Sequence, residues 1–265
     1  LLEFPSIQFG VEMAFLSLKS DTPFDLFPSK FTSGEQSIAI NGLVWMGDET
    51  FMKQQIEDKI DQGFSCIKLK IGAIDFDKEL NLLRFIRQNF DENTIEIRVD
   101  ANGAFDSNEA LFKINQLTGF KLHSIEQPIR KNNTDMMSVL CKSTPIPIAL
   151  DEELIGVFTL EAKQQLLEKV KPQYIILKPS FIGGFRGTLE WIALAEKYNI
   201  GWWITSALES NVGLNAIAQF TFMQHNLMPQ GLGTGSLYTN NFDCPLVVSE
   251  GQLWYDKNKK WSFRL

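Results

Sequence analysis

Five short apolar runs in this chain each stop on a single ionisable residue, and the stops recur at nearly constant spacing. The runs are Cys66-Ile67-Lys68-Leu69-Lys70, Ile95-Glu96-Ile97-Arg98-Val99-Asp100, Leu122-His123-Ser124-Ile125-Glu126, Ile146-Pro147-Ile148-Ala149-Leu150-Asp151 and Tyr174-Ile175-Ile176-Leu177-Lys178. By subtraction, the steps from Lys70 to Asp100, Glu126, Asp151 and Lys178 are 30, 26, 25 and 27 residues. One strand, one helix and two short connections take about that length. The alternation in 95–99 reads as a strand with one buried face. An ionisable group at the end of such a strand is badly placed for a core and well placed for a ligand.

Helical patterns fill the gaps between these runs. They are expected at 51–62, 75–88, 107–117, 133–142, 158–167, 185–197 and 210–224. Further strands are expected at 38–46, with Asn41-Gly42 as a local irregularity, at 201–205, and as a very short eighth at 231–235. Strands that alternate with helices imply parallel pairing. Eight such units predict an α/β fold of the TIM (β/α) barrel type, whose sites sit at the C-terminal strand ends and whose usual length is about 250 residues. The 265 residues here suit it. An open doubly wound sheet is the alternative, but it calls for a Gly-rich phosphate loop after the first strand. Gly47-Asp48-Glu49-Thr50 is not one. The expected organisation is a helix at 5–18 and a linker within 1–36, the barrel at 37–239, and a helix-free segment at 240–265 with short strands at 246–248 and 252–255.

Asp100, Glu126 and Asp151 end three consecutive strands, so a barrel sets them side by side. Three adjacent carboxylates repel unless a cation compensates them. Hard oxygen ligands with room for water and substrate suit Mg²⁺. Each acid could instead cap a helix or lie in a solvated loop. Asn102 and Glu152 are candidates to orient the ligands from behind. Lys68 and Lys70 are two apart on one strand and share a face. Between Ile67, Leu69 and Ile71 that face is the barrel interior, where lysine is costly unless paired or functional. A lysine near a metal and other cations can serve as a general base.

The motifs Lys68-x-Lys70, Val-Asp100-Ala-Asn-Gly, Ile-Glu126-Gln-Pro, Leu-Asp151-Glu and Leu-Lys178-Pro-Ser, in this order over essentially the whole chain, resemble the enolase superfamily, in its muconate-lactonising-enzyme-like subgroup. The resemblance implies Mg²⁺ bound by Asp100, Glu126 and Asp151. It implies proton transfer by Lys70, Lys68 close to a substrate carboxylate, and Lys178 on the opposite face. The base role stays open between Lys70 and Lys178. Residues 176–185 and 204–214 most resemble subgroup dehydratases that form o-succinylbenzoate from a succinyl-hydroxycyclohexadiene-carboxylate in menaquinone biosynthesis. N-succinylamino acid racemase, dipeptide epimerase and muconate-type cycloisomerase chemistry are the alternatives on the same scaffold. Dipeptide epimerases usually carry Asp-x-Asp after the last strand, where this chain has Gly231-Leu-Gly-Thr-Gly. Members with a late histidine base are not matched, because His123 lies inside a strand and His225 follows a helix. The family's N-terminal α+β capping domain is expected to be mostly absent from this sequence, which begins without Met at its last helix.

Ser206 and its neighbours open a helix after the seventh strand. Helix N–H groups attract anions there, so Ser206 is expected to hold a distal substrate carboxylate. Gly183 and Gly233 would allow close backbone approach. Plain capping by Ser210 is the alternative.

The balance of 25 basic to 32 acidic residues, a net −7, disfavours nucleic acid as a partner. No apolar run nears the ~20 residues of a membrane span, and no signal peptide is expected. Three scattered cysteines without CxxC fit reduced thiols in the cytoplasm. The expected partners are a small-molecule carboxylate and, in a homo-oligomer, further copies of the chain.

Overall fold

The structure is a computed structural model that describes residues 3–263. Residues 1–2 and 264–265, the outermost positions of the expected first and last segments, lie outside the described residues. Two compact units, interleaved along the chain, make up the protein. One comprises Gly42–Ile176 and Ile192–Trp202. The other comprises the described residues up to Asn41, Leu177–Trp191, and the stretch from Trp203 onward.

In chain order the elements are α1 (Pro5–Lys19), β1 (Ile38–Ala39), β2 (Gly42–Val44), α2 (Glu49–Asp61), β3 (Cys66–Lys70), α3 (Phe76–Asn89) and β4 (Glu96–Asp100). Next come α4 (Ala110–Leu117), β5 (Ser124–Glu126), α5 (Thr134–Ser143), β6 (Ile148–Leu150), α6 (Leu160–Val170) and β7 (Tyr174–Leu177). The last are α7 (Pro179–Ile182), α8 (Gly184–Lys197), β8 (Gly201–Ile204), α9 (Asn211–Met223), β9 (Leu246–Ser249) and β10 (Gln252–Tyr255).

Strands β2 to β8 form one sheet in chain order, and from β2 to β7 each neighbouring pair is parallel. Helices start where the sequence offers acceptors. Asp48 accepts from Phe51 N at 2.8 Å, and Thr159 accepts from Ala162 N at 3.2 Å. Such caps satisfy backbone donors that the first turn leaves without a partner. Ile67, Leu69, Ile97, Val99 and Ile125 are fully buried, as are Leu83, Ile86, Ile114 and Leu140 on the following helices. Strand alternation then puts Lys68, Lys70, Arg98, Asp100, Ser124 and Glu126 together on the opposite face.

In the other unit, the linker after α1 is tied down by one side chain. Gln219 accepts from Leu26 N at 2.8 Å and Phe27 N at 3.0 Å, and donates to Phe24 O at 2.7 Å. Phe185 packs against Phe9, Phe27 and Phe220 at ring distances of 5.2, 5.3 and 4.8 Å. Two expectations change. The single first strand divides at Asn41: β1 pairs antiparallel with β10, and β2 pairs parallel with β3. The eighth strand shrinks to two residues, Gln230 bridging Ile40 and Gly231 bridging Thr205. A Gly-rich 231–235 has little side chain to pack in a strand, and a Cβ at Gly231 would run into the Thr205 side chain.

Gln230 holds this position. Fully buried, it accepts from Ile204 N at 2.8 Å and donates to Met228 O at 2.6 Å. Gln230→Leu leaves both groups without those partners. The expected loss is about 1–3 kcal/mol of unfolding free energy, measured by urea titration; an unchanged midpoint would refute the account.

Candidate active site

The site is built by register. Parallel pairing sets Lys70 opposite Asp100, and Asp100 opposite Glu126. Asp100 Oδ2 receives two ammonium groups, Lys68 Nζ at 2.9 Å and Lys70 Nζ at 2.8 Å. Lys68 Nζ also meets Glu126 Oε2 at 2.5 Å. Asp100 Oδ1 accepts from Asn102 N at 3.0 Å. Asn102 accepts from Lys70 Nζ at 2.6 Å and donates to Glu152 Oε1 at 3.0 Å. Asp100, Glu126 and Asp151 are 0%, 2% and 1% exposed.

Two of these buried carboxylates, Asp100 and Glu126, are met by the ammonium groups of Lys68 and Lys70. Burial alone would drive Lys68 toward neutrality, but the carboxylates of Asp100, Glu126 and Asp151 outweigh it and hold its pKa well above the ordinary lysine value. Burial likewise opposes ionisation of Asp100, yet Lys68 and Lys70 pull it far below the usual carboxylate range.

Lys68 is the cation on which Asp100 and Glu126 converge, since like charges need a counter-charge. Among the described residues, no group of three or more His, Cys, Asp or Glu side chains is arranged to hold a metal ion. The residues nonetheless fit a divalent cation: two hard carboxylates already share one positive charge, and a third buried acid directly follows the next strand.

Lys178 follows β7 and opens α7, its carbonyl accepting from Phe181 N at 2.8 Å and Ile182 N at 3.2 Å. Ser206 is buried within a side-chain network. Its hydroxyl donates to Glu209 Oε2 at 2.8 Å and accepts from Leu208 N at 3.0 Å and Thr234 Oγ1 at 2.9 Å. Glu209 also accepts from Ala207 N at 2.8 Å and from the Ser180 hydroxyl. The expected anion grip therefore already faces a carboxylate of this chain. Ser210 makes no side-chain cap to α9, which removes the plain-capping alternative. Gly183, at φ +104°, turns the chain between α7 and α8, and its carbonyl accepts from Gln8 of α1 at 2.8 Å. Gly233 is exposed, with ordinary room for a Cβ. His123 lies against Tyr174 at 4.7 Å. Burial, opposed by Glu96 and aided by Arg98, pushes it down to about 4. His225 sits in the turn after α9 at φ +54°.

Four residues that the sequence reading did not single out support these strand ends. Buried Glu79 accepts from Gly72 N at 2.6 Å in the loop after β3, and burial raises its pKa. Gln127 and Glu153 join the loops after β5 and β6, and Glu209 organises the loop after β8. For Gln127 and Glu153 the available signal was a polar residue one or two places beyond a strand-ending charge; Glu79 and Glu209 carry no such signal.

Residues 52–258 match the model of the family described as Enolase C-terminal domain-like. The chain is 54% identical to the o-succinylbenzoate synthase of Desulfotalea psychrophila over 94% of its own length and 68% of that protein's. It is 32% identical to the N-succinylamino acid racemase of Thermus thermophilus over 60% of the chain and 40% of the relative. The crystal structure of MenC from D. psychrophila superposes with a TM-score of 0.89 at 52% identity, covering 95% of this chain and 69% of that one.

The charge array predicts a pH-dependent stability. Lys68→Met leaves buried acids without their counter-charge and should cost about 3–5 kcal/mol near pH 7 in chelator-containing buffer. Asp100 titrates lower in the folded than in the unfolded state, where it lies at about 3.9, so its contribution is present above about pH 4 and fades as pH falls. Lys68 titrates higher than its unfolded ~10.4, so its contribution is complete below about pH 10 and fades as pH rises. The difference between wild type and variant, followed by urea unfolding, should be greatest between those limits and shrink toward acid. A difference that grows in acid would contradict the assignment.

Proposed function

The chain belongs to the Enolase C-terminal domain-like family, whose fold here is the enolase-superfamily (β/α) barrel type, and from that premise we propose that it is a Mg²⁺-dependent dehydratase forming o-succinylbenzoate from a succinyl-hydroxycyclohexadiene-carboxylate, in menaquinone biosynthesis. The observation that carries the reading is the buried pairing of Lys68 and Lys70 with Asp100 and Glu126 at adjacent strand ends. Likeness to the D. psychrophila synthase supports the choice of substrate.

Asp100, Glu126 and Asp151 would hold the Mg²⁺. Bound there, the ion supplies a Lewis acid for a carboxylate substrate, stabilising charge as it develops. Lys68 adds a fixed positive charge next to the acids. Lys70, in its free-amine form, removes the proton α to the substrate carboxylate; its Nζ is oriented by Asp100 and Asn102. The resulting Lys70 ammonium returns that proton to the departing hydroxyl, which leaves as water while the ring becomes aromatic. One base serving both transfers gives syn elimination. Lys178 is the second lysine of the proposal and stabilises negative charge in the transition state as a cation. Racemisation of an N-succinylamino acid begins with the same proton abstraction and is the second reading, favoured by the likeness to the T. thermophilus racemase.

Dehydration should require added Mg²⁺ and vanish with chelator. Lys70→Arg keeps the charge but not the base, and kcat should fall by at least the ~10²–10⁴-fold typical of a lone general base. Near-normal dehydration by Lys70→Arg would move the base role to Lys178. Racemisation without dehydration would select the second reading.

A further inference from the structure

The ladder between β5 and β6 is very short. It pairs Ile125 with Ile148 and Glu126 with Ala149, and β6 ends at Leu150. Asp151, the next residue, lies beyond the end of that ladder. Its backbone N–H donates instead to a side chain, Gln127 Oε1, at 3.3 Å.

Gln127 follows Glu126 directly and is fully buried. Its backbone is left-handed, φ +38°, a conformation that a non-glycine residue keeps only when its surroundings over-determine it. They do so through six hydrogen bonds. The main-chain N–H donates to Ala149 O at 2.9 Å, and the carbonyl accepts from Gly103 N at 2.7 Å. Oε1 accepts from Asp151 N and, at 3.2 Å, from Glu153 N. Nε2 donates to Ile129 O at 3.0 Å and to Glu153 Oε2 at 3.1 Å. Glu153, itself buried, uses Oε1 to accept from Asn132 N at 2.9 Å.

These partners demand an amide. Two backbone donors need an acceptor, while a carbonyl and a carboxylate need a donor; glutamate could supply only the first, and methionine neither. We infer that Gln127, locked by Glu153, is a positioning residue that replaces the missing rung of the β5–β6 ladder and fixes Asp151 relative to Glu126, so that the two acids are spaced for a shared divalent cation. The inference rests on the metal reading above, and it assigns a role to two residues that touch neither metal nor substrate.

The test is metal affinity rather than turnover. Titration calorimetry of the metal-free chain with Mn²⁺ and Mg²⁺ gives Kd, and circular dichroism reports folding. Gln127→Glu sets two carboxylates against each other and should weaken binding on the order of 10–100-fold, the range for lost partners of metal ligands. Gln127→Met should weaken it as well. The double exchange Gln127→Glu with Glu153→Gln rebuilds every side-chain bond but the one to Ile129 O, and should recover most of the lost affinity. A purely structural role predicts a lower melting temperature with wild-type Kd in the folded protein, and that result overturns the inference. So does a double exchange that recovers nothing, and this pair of variants decides the matter even where one single variant folds poorly. A wild-type chain that binds neither ion overturns the metal reading together with the inference, whereas wild-type binding that Gln127→Met leaves unchanged overturns the inference alone.

Discussion

Everything at these strand ends depends on one electrostatic condition: buried carboxylates must share buried cations. Asp100 Oδ2 takes both lysines, and Lys68 takes both Asp100 and Glu126. Neither sign could be buried alone, since an isolated charge in a low-dielectric interior is heavily penalised. Parallel register satisfies the condition without adjustment. Lys70 pairs in register with Asp100, and Asp100 with Glu126, so their side chains emerge side by side on one face. A slip of one residue would send every one of them to the opposite face.

Short strands make this arrangement economical and also fragile. β5 and β6 have three residues each, so ladder bonds cease just where the acids stand. Side chains take over from there. Asn102 ties Lys70 to Glu152, and Gln127 ties the loop after β5 to the backbone of Asp151. Left-handed backbone at Asn102 and Gln127, φ +45° and +38°, marks the same turn beyond the strands. Strain of this kind persists where hydrogen bonds over-determine it, and it gathers at functional sites.

The unit that contains α9 solves a different problem with similar means. Glu209 gathers Ser180, Ser206 and Ala207 N, and Thr234 joins through Ser206. One carboxylate thus holds α7 and the loop after β8, and reaches Thr234 through Ser206. Donors that a helix N-terminus would offer to an external anion are partly engaged already, so a substrate carboxylate arriving at Ser206 would compete with Glu209.

The sequence by itself determined the repeating strand–helix order, the strand ends and the identity of the charges on them, because hydrophobic period and spacing are local properties. It also determined that Lys68 and Lys70 share a face, since side-chain alternation along a strand has a fixed period. Only the tertiary structure decided that Lys68 bridges two acids, since a counter-charge chooses its partners across strands. Only the tertiary structure divided the first strand at Asn41, reduced the eighth to Gln230 and Gly231, and gave Gly183 to a turn beside α1. The parts played by Gln127 and Glu209 were likewise hidden: a buried amide or carboxylate takes its meaning from the donors and acceptors that packing brings to it, and those lie many residues away along the chain.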